Sequence, residues 1–127
     1  MIATIPHFIL PGAVADAVAL WSRAFPDMTV EPSDDGDPPA CLRVIVAGQP
    51  VILCDGPPVQ PVGFDPSDSL LISCERASDV DRIARILARD GLVFMPPGDY
   101  PFARRYTWFA DRFGVNWQVM LSTGKEP

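Results

Sequence analysis

Ile2 to Leu10 is a short apolar stretch containing β-branched residues and closed by Pro11-Gly12, which predicts a strand and then a break. The period changes immediately afterwards. Val14, Ala17, Val18, Trp21 and Phe25 recur at helical spacing and Pro26 stops the run, so a helix is expected over 13–25. Met28 to Glu31 predicts a short strand. The acidic stretch Pro32–Pro39, with its Asp35-Gly36 turn signal, predicts a loop. Leu42–Ala47 and Val51–Cys54 then read as two strands joined by Gly48-Gln49-Pro50.

Asp55 to Asp68 is proline-rich and almost without periodicity, as a crossover would be. The same order of elements follows it. Leu70–Cys74 predicts a strand. Ser78 is placed to cap a helix, with Asp81 three residues on as its capping-box partner. Val80, Ile83, Ile86 and Leu87 form the helix's apolar stripe, and the arginines at 82, 85 and 89 lie outside it. Gly91 stands where a left-handed C′ residue would end that helix. Leu92–Met95, Tyr106–Ala110 and Trp117–Leu121 predict three more strands. Asp111-Arg112-Phe113-Gly114 reads as a tight hairpin, with Gly114 supplying positive φ. The expectation is an α+β fold of paired βαβββ modules, forming a curved mixed sheet with a concave cup. One domain would span 1–127: module one over about 1–55, a crossover over 56–68, and module two over about 69–123. A concave cup is a natural small-molecule site.

Composition narrows the partners. The 127 residues carry 48% hydrophobic and 20% charged side chains, enough for one self-sufficient core. A net charge of −6 argues against nucleic acid and anionic membrane surfaces, which both want a basic footprint. No apolar run approaches the ~20 residues that span a bilayer. The opening MIATIPHFILPG lacks a basic segment, so it is not expected to be a signal peptide, and a cytoplasmic location is expected. Cys41, Cys54 and Cys74 form no CxxC pair and are expected as small core residues in strands. The prolines cluster at 57–66, 96–101 and 38–39 and are read as connections between elements.

Three segments carry a family resemblance. The first is Pro6 to Pro26, with Gly12, an alanine-rich helix and the closing Trp21-x-x-x-Phe25-Pro26. The second is Ser69-Leu-Leu-Ile-Ser-Cys74-Glu75 followed by Val80-Asp81. The third and most specific is Trp108-Phe-Ala-Asp111-Arg-Phe-Gly114-Val-Asn-Trp117-Gln118-Val119. Together they resemble the PhnB-like, "demethylubiquinone methyltransferase-like" branch of the vicinal-oxygen-chelate superfamily, which includes glyoxalases and bleomycin-resistance proteins. The resemblance implies a glyoxalase-like fold assembled as a homodimer. In metal-dependent members it also implies a divalent ion held by His, Glu or Gln from the first, fourth, fifth and eighth strands. Those positions fall here on Pro6 or His7, on Asp55, near Ser69, and on Gln118. A one-residue register slip would turn His7 to the other face. A neutral amide and a hydroxyl are poor replacements for the ligands a transition ion wants, so no metal and no cofactor are expected.

The remaining chemistry is aromatic and polar. Tyr106, Trp108 and Ala110 share one face by period-two alternation. Asn116, Gln118 and Met120 share another, opposite Trp117, Val119 and Leu121, which suit a core beneath a helix. Tyr106 and Trp108 with Gln118 would make an apolar ligand pocket with hydrogen-bonding handles. Arg104 and Arg105, beside its mouth, could meet an anionic ligand. The ligand-binding candidates are therefore Gln118, Trp108, Tyr106, Ser69, His7 and Asp55. The favoured function is metal-free binding of a small molecule, as in bleomycin-resistance proteins. A metal-dependent lyase, isomerase or dioxygenase, or a methyltransferase-associated activity, are the alternatives. No GxSxG elbow or P-loop is present. Nor is there the glycine-rich turn after the first strand that doubly wound methyltransferases carry.

Overall fold

The computed structural model describes residues 2–55 and 69–122, which fall into two compact units on either side of 56–68. The crossover expected there lies outside the described residues. Each unit has the order strand, helix, three strands. The first contains β1 (His7–Ile9), α1 (Val14–Ala24), β2 (Thr29–Pro32), β3 (Cys41–Val46) and β4 (Gln49–Cys54). The second contains β5 (Ser69–Cys74), α2 (Ala77–Leu87), β6 (Leu92–Tyr100), β7 (Ala103–Ala110) and β8 (Asn116–Leu121). Each forms a four-stranded mixed sheet, with orders β1-β4-β3-β2 and β5-β8-β7-β6. In both, the first strand runs parallel to the last and the other pairings are antiparallel. The repeated element order is the one expected from the alternation of periods, and the α+β fold is the glyoxalase-like one that the family resemblance implies.

The cores follow from the stripes. In the first unit Val14, Ala17, Leu20, Trp21 and Ala24 of α1 are buried, as are Val44, Val46, Val51 and Leu53 on one face of the sheet. Phe25, ahead of Pro26, leaves helical geometry at φ −124°, ψ 83°, as the residue before a proline must. In the second unit α2 lays Val80, Ile83, Ala84 and Leu87 against the face that carries Phe109, Trp117 and Val119.

Several local expectations are corrected. β1 is shorter than 2–10, although Pro6 O and Leu10 N continue its pairing with β4. The β3–β4 turn is the pair Ala47-Gly48, both at positive φ, so Gln49 and Pro50 belong to β4. Two positive-φ residues match the right-handed twist of a two-residue hairpin. Ser78 does not cap α2: Arg76 occupies the N-cap, with no side-chain bond to the helix. Asp81 is drawn away by Arg105. Gly91 is not left-handed; the positive φ falls one residue earlier, on Asp90 at φ 63°, after a helix that ends at Leu87 where its apolar stripe ends. The prolines at 96–97 lie in β6, and β7 starts at Ala103, so most of 95–105 is strand. Proline survives there because β6 is an edge strand with irregular register and few ladder N–H groups to supply.

Arg105, itself at φ 46°, grips Asp81 of α2 through Nε and Nη2, at 2.6–2.9 Å. Arg105 N donates to Asp99 Oδ1 at 2.9 Å. The guanidinium hydrogen bonds hold the Asp81 carboxyl below its ordinary value. A carboxyl whose pKa falls on folding adds stability above its unfolded value, about 3.9, and loses it as pH drops through the lower folded value. The melting difference between wild type and Arg105→Ala is therefore expected to be small at pH 7. It should vanish in acid and shrink in high salt, because the pair faces solvent. Thermal melts across pH and salt check this.

Candidate functional site

The alternation of β7 and β8, the central strands of the second sheet, sorts their side chains onto two faces. Trp108 stands opposite Gln118, Gln118 opposite Leu71, and Asn116 opposite Ser69. Tyr106, Trp108, Gln118, Met120, Ser69 and Leu71 thus share the face away from α2. Exposure follows the division in part. Leu71 is 55% exposed and Trp108, Gln118, Met120 and Ser69 are half-buried, though Tyr106 on that face is buried, while Phe109, Trp117 and Val119 on the other face are at 0%.

A chain of side-chain hydrogen bonds crosses this open face. The Tyr106 hydroxyl donates to Gln118 Oε1 at 2.5 Å, and Gln118 Nε2 donates to Ser69 Oγ at 2.6 Å. Both ends of the amide are engaged, so its orientation is fixed. Burial, with a lesser contribution from Tyr100, pushes the Tyr106 phenol above its ordinary pKa. Trp108 Nε1 donates to Asn116 Oδ1 at 3.2 Å, and the Trp108 ring meets Phe94 with centroids 4.9 Å apart. Tyr100 and Phe102 pack on Tyr106 with centroids 5.7 and 4.8 Å away. Sequence reasoning alone misses Asn116, Phe94, Tyr100 and Phe102. Asn116 carries a usable signal, two residues before Gln118 on the same face. Phe94 lies in the expected strand Leu92–Met95 but carries no signal of its partner, and Tyr100 and Phe102 lie beyond it, around the proline cluster read as a connection.

Tyr106, Trp108, Gln118 and Ser69 are therefore brought together. The other two candidates lie in the first unit. His7 pairs with Ile52, on the same face as Cys54, and its Nε2 lies 2.9 Å from Cys54 Sγ. Asp55 has a local job: its Oδ1 accepts from Gly12 N at 2.5 Å and holds the turn between β1 and α1, where Gly12 takes φ 70°. Arg105 is committed to Asp81 instead of a ligand, and Arg104 is exposed on β7. The cysteines are corrected in part. All three lie in strands, but Cys41 and Cys54 form a disulfide and only Cys74 is a free buried thiol.

The neutral set on the open face does not fit a divalent transition ion. Gln118 Oε1 is already occupied by a phenol proton and Ser69 Oγ by an amide proton, and such ions want anionic or imidazole donors. Among the described residues, no group of three or more His, Cys, Asp or Glu side chains could hold a metal. None of the described helices is long and apolar enough to cross a membrane.

The family model described as 3-demethylubiquinone-9 3-methyltransferase matches residues 3–120. No functionally curated protein matches the chain. Solved structures do. The PhnB protein of Bacillus cereus, provisionally described as a 3-demethylubiquinone-9 3-methyltransferase, is 25% identical with a TM-score of 0.82; the match covers 95% of this chain and 100% of that one. A glyoxylase/bleomycin resistance protein/dioxygenase domain from Frankia sp. is 19% identical over 96% of this chain and 98% of its own, with a TM-score of 0.69. TnmS3, an antibiotic binding protein from Streptomyces sp., is 19% identical over 96% and 98%, with a TM-score of 0.60. The last two are similar in fold alone.

Proposed function

The chain belongs to the 3-demethylubiquinone-9 3-methyltransferase family, within the vicinal-oxygen-chelate superfamily, and on that premise we propose that it binds a small organic molecule on the open face of its second sheet without a metal. The observation that carries this reading is the Tyr106–Gln118–Ser69 chain. Gln118 is locked between two partners, and Ser69, having accepted from Gln118, still has its own hydrogen to donate. A donor fixed among Leu71, Met120, Trp108 and Phe94 suits a mainly apolar, aromatic ligand that presents a carbonyl or ether oxygen. Few polar groups in an apolar surround are what orient small ligands generally. The fold-level likeness to an antibiotic binding protein supports this class of ligand, and the neutral donor set supports binding without metal.

The test is a thermal-shift and tryptophan-fluorescence screen of aromatic antibiotics and quinones, with S-adenosylmethionine alongside. A native-state ligand at 100 times its Kd should stabilise by about 2.7 kcal/mol. Gln118→Leu should cost only about 1–2 kcal/mol of stability, the loss of hydrogen bonds to Tyr106 and Ser69, while abolishing the ligand-induced shift. A collapsed fold in Gln118→Leu would make the residue structural. Stoichiometric Ni, Zn, Fe or Mn surviving dialysis would overturn the metal-free reading. A shift with S-adenosylmethionine in place of the organic ligands would turn it toward methyl transfer.

We also propose a homodimer. β6 is an edge strand with Leu92 and Val93 more than half exposed, Phe94 exposed next to them, and Phe102 exposed in the turn at its other end. Leaving such an edge bare invites uncontrolled pairing. Light scattering should give twice 13.8 kDa at micromolar concentration, and a stable monomer would remove this part of the proposal.

A further inference from the structure

Counting outward from the two-residue turn at Ala47-Gly48 brings Cys41 directly opposite Cys54. One rung further, Asp55 N donates to Ala40 O, so Cys41 and Cys54 occupy a non-hydrogen-bonded position. That is where facing Cα atoms come closest, and theirs are 4.1 Å apart and joined by a disulfide. Both lie on the face of the first sheet that carries Arg43, Ile45 and Ile52, opposite the buried Val44, Val51 and Leu53. Their surroundings differ. Cys41 is half-buried, whereas Cys54 is only 8% exposed. Cys54 also has an imidazole against it: His7 of β1, with Nε2 2.9 Å from Sγ.

We propose that Cys41–Cys54 is an exchangeable disulfide, in which a low-molecular-weight thiol attacks Cys41 while His7 holds the departing Cys54 thiolate. The bonding changes are these. A thiolate RS⁻ forms a new S–S bond to Cys41 Sγ. The Cys41–Cys54 bond breaks, and its electron pair goes to Cys54 Sγ, which His7 Nε2–H stabilises as acceptor. A second RS⁻ then attacks the R-side sulfur, releasing RSSR and the Cys41 thiolate. Two thiols are oxidised to one disulfide, the protein disulfide is reduced to a dithiol, and the two thiol protons end on the protein. The asymmetry decides the direction of attack. Exchange is faster at the accessible sulfur and when the leaving thiolate is stabilised. The more exposed cysteine is Cys41, and the one with an imidazole nitrogen against its sulfur is Cys54. Cys74 takes no part: burial, chiefly, and then Asp79 push its thiol pKa up, away from the reactive thiolate.

The experiment treats the native chain with reduced glutathione, quenches with acid, alkylates and maps adducts by mass spectrometry. The glutathione adduct is expected on Cys41. With oxidised glutathione, Cys54→Ser should accumulate a stable Cys41 adduct, because the thiol that resolves it is gone. Cys41→Ser should accumulate far less on Cys54. Under native conditions His7→Phe should slow opening of the wild-type disulfide roughly three- to tenfold, through loss of leaving-group stabilisation. His7→Gln, which keeps an N–H donor, should recover part of the rate. An adduct mainly on Cys54, a disulfide that opens only in denaturant, or equal opening rates for wild type and His7→Phe would each overturn the proposal. Ligand binding on the second sheet is measured separately and does not enter these outcomes.

Discussion

Asp111→Ala is expected to lower stability by about 3–5 kcal/mol, because hydrogen bonds to a buried carboxyl are strong and the stranded donors are costly. Asp111 is 3% exposed. Its Oδ1 accepts from Phe113 N and Val115 N at 2.9 and 3.1 Å, and its Oδ2 accepts from Trp117 Nε1 at 2.9 Å. Its backbone closes the same turn: Asp111 N donates to Val115 O, and Gly114 N donates to Asp111 O. One side chain thus ties the β7–β8 hairpin to the fully buried indole of Trp117. Removing it takes the acceptor from a buried indole N–H and from two backbone N–H groups, which alanine cannot serve. For a chain of this size the loss corresponds to a fall in melting temperature of roughly 10–20 °C. Asp111→Asn keeps one acceptor but turns an NH₂ or a poorly placed oxygen toward Trp117, so it should cost less than alanine. Its effect should be non-additive with Trp117→Phe, because both changes remove the same bond. The hairpin also sets the register that puts Trp108 opposite Gln118, so ligand binding should weaken in step. A melt for Asp111→Ala within a few degrees of wild type would show that other groups take up these donors.

The α+β class and the order of elements were legible because each helix stripe and strand alternation is long enough to reveal its period. The faces of β7 and β8 were legible for the same reason, so Tyr106, Trp108 and Gln118 could be placed together from sequence. Ser69 came from the family resemblance, and the structure joins it to Gln118. What stayed hidden depended on boundaries. Reading Gly48-Gln49-Pro50 as the β3–β4 turn makes a three-residue loop and shifts every rung, so Cys41 no longer meets Cys54. The two-residue turn needs Ala47 at φ 49°, a conformation that nothing about alanine advertises. Ser78 has the right residue type for an N-cap, but the cap falls two residues earlier, at Arg76, and Asp81 gains more from a bidentate arginine than from a backbone amide. His7 and Asp55 enter through the family's metal positions. Their contacts, a sulfur and a turn amide, belong to side-chain geometry that no spacing encodes.

Gly91 provides the sharpest separation between what its position in the sequence suggests and what the fold requires. A glycine after an apolar helical stripe suggests a left-handed cap, and at such a site asparagine is a tolerated substitute. In the structure the constraint is space. A Cβ on Gly91 would overlap Ala110 O and lie 3.0 Å from Asp111 C, both backbone atoms at the end of β7. No rotamer change relieves that contact. The first rung of β6, Leu92 opposite Ala110, would have to open, next to the Asp111 turn. Gly91→Ala is therefore expected to cost at least the 1–3 kcal/mol typical of overpacking, roughly 5–12 °C in melting temperature. Gly91→Asn should be at least as damaging, since its Cβ meets the same carbonyl. Two controls separate space from conformation. Gly12, at φ 70° with nothing within 4 Å of where a Cβ would sit, should lose only the left-handed penalty of about 1–2 kcal/mol on change to alanine. Asp90→Gly, at the residue that does take positive φ, should be close to neutral or stabilising. If Gly91→Asn melts well above Gly91→Ala, conformation governs the site after all, and the close approach of β6 to Ala110 is not what glycine serves there.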